Sequence, residues 1–283
     1  MDPHNEEANY LFSKINPARE QIDLVYEVIN RNEHSTAVAL LTQLLEISPW
    51  SSMIRELRGQ SYLRMGDKIA AVSDFRSVNR LSLDGTDGHL TIQILNLSKL
   101  LYELGHAADA LKEIRECLKL DPEHKGCFPF YKKIKKIDKL LGDAQSSQEN
   151  REFSECISSA EKVLKLEKEI DMIIFGANQL LCSCSVKNDQ FSEALAYCKD
   201  ALNIVKDPNV MCDRAEAQIG NEMYDDAIRD YHEALQMDES LQRAKEGIEK
   251  AKRLQKQSER RDYYKILGVT RSATKQEVVK AYR

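Results

Sequence analysis

With 283 residues and a formal net charge of -5, at a pI near 5.8, the chain lacks the basic excess that a dedicated nucleic-acid binder carries on one face. No run of 18 or more apolar residues occurs, so neither a membrane span nor membrane insertion is expected. Seven cysteines in a chain of this length neither demand nor exclude disulfides, and their placement has to decide.

Met1 is followed by Asp2, Pro3, His4, Asn5, Glu6 and Glu7 rather than by an apolar signal segment; taken literally, that start reads as cytosolic. From there a rhythm sets in. Small residues stand at Ala37, Ala71, Ala110, Cys156, Ala194 and Ala227, spaced by 34, 39, 46, 38 and 33. Twelve positions before these anchors come Val25, Gly59, Ser98, Ala144, Cys182 and Ala215; four after come Leu41, Phe75, Ile114, Ala160, Cys198 and Tyr231. Seven after come Leu44, Val78, Cys117, Val163, Ala201 and Ala234, which share one helix face with the anchors. Small residues let two antiparallel helices close, and larger ones fill the flanks. Pro49 and Pro122 stand twelve past their anchors, where a proline ends the second helix.

This pattern resembles the tetratricopeptide repeat (TPR) family over residues 18 to 240, and the spacing near 34 agrees with that resemblance. It implies an all-α solenoid of helix pairs. The spacing of 39 predicts a loop at Asp84, Gly85, Thr86, Asp87 and Gly88. The spacing of 46 places twelve extra residues near Phe130 to Leu140, read as an extended helix that separates two sub-arrays. The expected division is 1–130, 131–260 and 261–283. On the extended helix, Lys132, Lys133, Lys135, Lys136 and Lys139 surround Ile134, Ile137 and Leu140; two readings stand, a basic amphipathic helix for an anionic membrane or an acidic peptide and, favoured by the apolar spacing, a solvated face over a packed one.

Residues 261–283 read RDYYKILGVTRSATKQEVVKAYR: a short aromatic helix, a break at Gly268, and a second helix opened by Thr274 with Glu277 three residues later, a capping-box spacing. The stretch resembles the opening of a DnaJ-type J domain. That resemblance implies an apolar seam of Tyr263, Tyr264, Leu267, Ala281 and Tyr282, and a basic face begun by Lys275, Lys280 and Arg283 for docking on a DnaK-type chaperone. The sequence ends before the His-Pro-Asp loop of such domains, so no stimulation of a chaperone ATPase is expected from the chain as written.

TPR order together with the phrases RECLKLDPEHKGCF, DRAEAQIGNEMYDDAIRDY and KQSERRDYYKILGV resembles the TPR/J-domain co-chaperones of the endoplasmic reticulum. The resemblance implies a luminal protein of the unfolded protein response. Such a protein holds unfolded or misfolded clients and delivers them to the luminal DnaK-type chaperone BiP, with a link to inhibition of translation-initiation-factor kinases. Against that family the chain is expected to be a fragment, without the signal peptide, the first TPR units that hold the family's client site, and most of the J domain.

In an oxidising lumen Cys182, at the small-residue position of its first helix, is expected to bond Cys198, four past Ala194 on the second. Cys117 and Cys127 are expected to meet across the turn at Pro122 and Gly126. Cys156, Cys184 and Cys212 are expected as buried free thiols. An enzyme finds little support: there is no Gly-rich phosphate loop, the six histidines are scattered (His4, His34, His89, His106, His124, His232), and no cofactor or metal is implied. Cys182 and Cys184, two apart on a helix, point about 200° from each other and cannot share an ion. The alternative is a cytosolic TPR adaptor or scaffold clamping an acidic C-terminal tail. Its clamp would need Lys, Asn and Arg where the first-helix faces offer Glu56 and Gln60, Leu95 and Lys99, Leu141 and Gln145.

Overall fold

The computed structural model describes residues 6–81, 88–258, 266–270 and 272–283. Among them lie fourteen helices and no strand. In chain order these are α1 (Glu6–Asn30), α2 (His34–Ile47), α3 (Ser52–Arg64), α4 (Lys68–Leu81), α5 (Gly88–Glu103), α6 (Ala107–Leu120) and α7 (Cys127–Glu149). There follow α8 (Phe153–Leu166), α9 (Asp171–Lys187), α10 (Phe191–Ile204), α11 (Pro208–Gly220), α12 (Tyr224–Met237), α13 (Gln242–Ser258) and α14 (Lys275–Tyr282). The first twelve succeed one another as six helix hairpins, α7 meeting α8 where Ala144 packs with Cys156 and Ala160 and α9 meeting α10 through Cys182 and Cys198, and α13 packs on α12.

One local device closes every hairpin. Five residues before each anchor the backbone turns left-handed, at Asn32, Gly66, Gly105, Arg151, Asp189 and Glu222, with φ between 57° and 86°. The next residue donates its N–H five positions back: Glu33 to Val28, Asp67 to Tyr62, His106 to Leu101, Glu152 to Ser147, Gln190 to Ser185 and Met223 to Gln218, all at 2.8 to 3.0 Å. This is the Schellman closure, which satisfies carbonyls that the end of a helix would leave bare. Only Gly66 and Gly105 occupy the left-handed position without steric cost. Glu222→Gly is therefore expected to raise stability by about 0.5 kcal/mol, read as a higher urea midpoint at unchanged slope.

The seam inside each hairpin follows the sequence pattern. All six anchors are fully buried, and so are Val25, Ser98, Ala144, Cys182 and Ala215 opposite them. In the α3–α4 hairpin the large Phe75 requires a glycine opposite it: a Cβ on Gly59 would lie 2.8 Å from the Phe75 ring. A second fixed contact repeats in two hairpins. Asp74, 2% exposed, accepts two hydrogen bonds from Arg58 at 2.8 Å, and Asp230 accepts two from Arg214 at 2.8 and 2.6 Å. Each Arg lies sixteen residues before its Asp, so the pair ties the first helix of the hairpin to the second in bidentate geometry.

The residues form two compact units. One runs up to Lys139 and includes Ile170–Ile173; the other holds Leu140–Glu169 and everything from Ile174 onward, α14 included. The two units part between Lys139 and Leu140, within α7, a helix of 23 residues that runs unbroken from Cys127 to Glu149 and also contains residue 130. Helix α5 begins at Gly88, while Asp84, Gly85, Thr86 and Asp87 of the expected loop lie outside the described residues.

Candidate functional site

Within the first unit, α3, α4 and α5 enclose a cleft of about 410 Å³. Its floor is apolar, formed by Phe75, Val78, Leu97 and Leu100; its walls carry Glu56, Gln60, Gln93, Asn96 and Lys99. At the rim Lys68 pairs with Glu103 at 3.0 Å, and Gln93 donates to Glu56 at 3.4 Å. Asn79 also lines this space; its amide nitrogen is buried, with no hydrogen-bond partner among the described residues. A buried donor without an acceptor costs about 1–3 kcal/mol. An apolar floor with amide and charged walls suits an extended polypeptide, whose side chains alternate with backbone carbonyls.

The expected first-helix face needs one correction. Leu95, assigned to it beside Lys99, is buried at 8% exposure, and the Gln93, Asn96 and Leu100 face of α5 opens to the cleft instead. Each residue of a helix turns the chain by 100°, so a shift of one or two positions exchanges the wall for the core.

Disulfide bonds join Cys117 to Cys127 and Cys182 to Cys198, with Cα separations of 6.5 and 4.9 Å. The Cys182–Cys198 bond occupies the seam position that Gly59 and Phe75 fill elsewhere. A third bond corrects the sequence reading: Cys156 and Cys184, expected as free thiols, are joined at a Cα separation of 6.4 Å. The opposed directions of Cys182 and Cys184 explain it, since one faces α10 and the other faces α8. Between Cys117 and Cys127, the imidazole of His124 accepts the backbone N–H groups of Gly126 and Cys127 at Nδ1, at 3.2 and 3.1 Å. Two sulfurs spent in a bond and a ring nitrogen spent on the turn make a staple there, not a set of metal ligands.

Cys212 is the free cysteine; it is fully buried, and burial pushes its thiol up to about 11. The thiolate is the reactive form, so Cys212 is expected to resist iodoacetamide in the folded chain at neutral pH and to be alkylated once the chain is unfolded in urea. Mass spectrometry reads the difference directly.

At the end of the chain, Thr274 and Glu277 form a full capping box, with Thr274 N–H donating to Glu277 at 2.7 Å. Lys275, Lys280 and Arg283 lie together on one exposed face with Gln276 and Val279. Of the apolar seam, Leu267 is half-buried, Ala281 is exposed and Tyr282 is 81% exposed. Tyr263 and Tyr264 lie outside the described residues.

These features were compared with known proteins. The tetratricopeptide repeat family profile matches residues 94–124, from α5 through the end of α6. DnaJ homolog subfamily C member 3 of Rattus norvegicus is 40% identical over 252 residues, 89% of this chain and 49% of that protein. The crystal structure of the P58(IPK) TPR domain is 32% identical with a TM-score of 0.75, covering 92% of this chain and 72% of that one. The chain belongs to the DnaJ homolog subfamily C member 3 family. It spans about half the length of the curated relatives it matches. In this family member the repeat hairpins are therefore a TPR array. A more distant similarity, 26% identity over the whole chain and 58% of the other protein, is to the "tetratricopeptide repeat and J domain-containing co-chaperone DNJ1" of Cryptococcus neoformans.

Proposed function

We propose that the chain is a TPR portion of a co-chaperone of the endoplasmic reticulum lumen, with a polypeptide-holding cleft of its own. It holds unfolded polypeptide along its first-unit cleft and passes it to a DnaK-type chaperone, BiP, through the J domain that residues 261–283 open. The observation that carries the client role is the first-unit cleft, an apolar floor of Phe75, Val78, Leu97 and Leu100 under amide and charged walls. Three disulfides support an oxidising compartment, since such bonds are rare where thiols are kept reduced. The exposed row of Lys275, Lys280 and Arg283 supports chaperone docking, with the adjoining J-domain residues as its continuation. No residue in this scheme makes or breaks a covalent bond of a substrate; the reading is of a binding protein, not an enzyme. Inhibition of translation-initiation-factor kinases is a further role the family resemblance implies, and it has no assigned surface here.

The test is Asn79→Leu, which replaces an unsatisfied polar group by an apolar one of similar size. Removing the buried donor is expected to leave stability equal or higher. Reshaping the cleft lining at this position is expected to weaken binding of a permanently unfolded, carboxymethylated polypeptide about 2- to 10-fold. Unchanged affinity in fluorescence anisotropy would take the cleft out of client binding.

A further inference from the structure

Helix α7 carries a face that nothing above uses. Phe128, Lys132, Lys135, Lys136 and Lys139 follow one another at helical spacing on the side opposite Ile134 and Ile137, which are fully buried. From Phe128 to Lys139 the row runs about 16 Å along the helix. All four lysines are exposed, and Phe128 is 43% exposed. Some exposed lysines on other helices sit beside acids: Lys68 pairs with Glu103, Lys119 with Glu116, Lys187 with Glu216 and Lys206 with Glu233. Among the described residues no carboxylate lies within 4.0 Å of these four.

Lysines three and four apart repel one another by about 0.2–0.5 kcal/mol per pair, so the row is held at a cost to the helix. Aromatic rings on the same helix steady it. The Lys132 ammonium sits 4.3 Å from the centre of the Phe128 ring, and that of Lys135 lies 5.5 Å from the centre of the Tyr131 ring. Ammonium groups placed over rings are partly ordered before a ligand arrives, which lowers the cost of docking.

We propose that this face of α7 docks an acidic, extended segment of a partner protein, rich in Asp and Glu. The size and charge of the surface select that occupant. Lys132 to Lys136, and Lys135 to Lys139, each advance about 6 Å, close to the 6.6–6.8 Å between same-side residues of an extended chain. A narrow acidic strand meets only the lysine row, because charges beyond about 8 Å are screened at physiological salt. A membrane or a nucleic-acid duplex is broad and would also meet the rest of a chain whose net charge is -5.

The test uses the whole 283-residue chain and a dye-labelled peptide of alternating Glu and Gly, with the Gln analogue as its neutral control, read by fluorescence anisotropy. The Glu peptide is expected to bind at low salt, to weaken as sodium chloride is raised, and to lose about tenfold or more in affinity with Lys132→Glu/Lys136→Glu. Both sites are exposed, so circular dichroism is expected to show the variant folded; Lys132→Gln/Lys136→Gln is the milder second variant, with a smaller loss. No binding at low salt, equal binding of the Gln peptide, or an unchanged affinity in both variants would overturn the proposal. So would tighter binding of phosphatidylserine vesicles or of single-stranded RNA than of the Glu peptide. This surface is separate from the Asn79 cleft, and Asn79→Leu is expected to leave the Glu peptide bound as before.

Discussion

Replacing Cys156 and Cys184 together by alanine is expected to lower stability by about 3.5 kcal/mol, the chain-entropy value for a closed loop of 28 residues. The unfolding midpoint should fall by about 10 °C. Position 156 is an anchor where four of the other five hairpins of the array carry an alanine from Ala71 to Ala227, and Ala37 makes the fifth, so the variant restores the repeat's own residue and folds. The bond it removes joins the second helix of one hairpin to the first helix of the next, α8 to α9. Treating the parent chain with a dithiol reductant is expected to shift it further in the same direction, because three bonds are then lost. Urea titrations of parent and variant within 0.5 kcal/mol of each other, an interval of about the size seen for neutral surface changes, would show that the bond does not stabilise the fold.

Arg243→Ala is expected to cost about 3 kcal/mol. The guanidinium on α13 bonds Asp213 and also Glu216, at 2.8 Å, both on α11. Asp213 is 5% exposed; burial pushes its carboxyl above the usual range, and Arg243 pulls it back. Breaking a buried pair costs about 3–5 kcal/mol because a charge is left without a partner. The low end applies here, since the Arg243 side chain is 35% exposed. The sign with pH follows. Without Arg243 the folded state holds a proton on Asp213 more tightly than the unfolded state does, so stability falls as pH rises and returns as pH drops toward the ordinary carboxylate value of 3.8. Arg243→Ala/Asp213→Asn, which removes the orphaned charge, is expected to recover most of the loss at pH 7. A chemical-denaturation series across pH checks both statements, and a pH-independent deficit would contradict the assignment.

How the repeat was legible, and where it was not, comes down to particular residues. Ala71, Gly59 and Phe75 announce their hairpin because close helix approach admits few side-chain sizes, and a size constraint repeated every 34 residues survives in a single sequence. The left-handed turn was half visible. Gly66 and Gly105 mark it, but Arg151 and Glu222 take the same backbone conformation under the pull of the Schellman bonds, and nothing in their side chains says so. The Arg58–Asp74 and Arg214–Asp230 pairs were missed, although the same separation of sixteen residues in two repeats was a signal that could have found them.

The candidate sites divide in the same way. Chain order and spacing alone determined the all-α hairpin array, the long α7, the row of lysines upon it and the capping box at Thr274, because each rests on periodicity within one helix. That Cys156 meets Cys184, whether α5 turns Leu95 or Asn96 to the cleft, and that Asn79 is left without an acceptor were decided only by the tertiary structure. These depend on the rotation of one helix against another, where 100° separates neighbouring residues and a single step in register moves a side chain from core to wall.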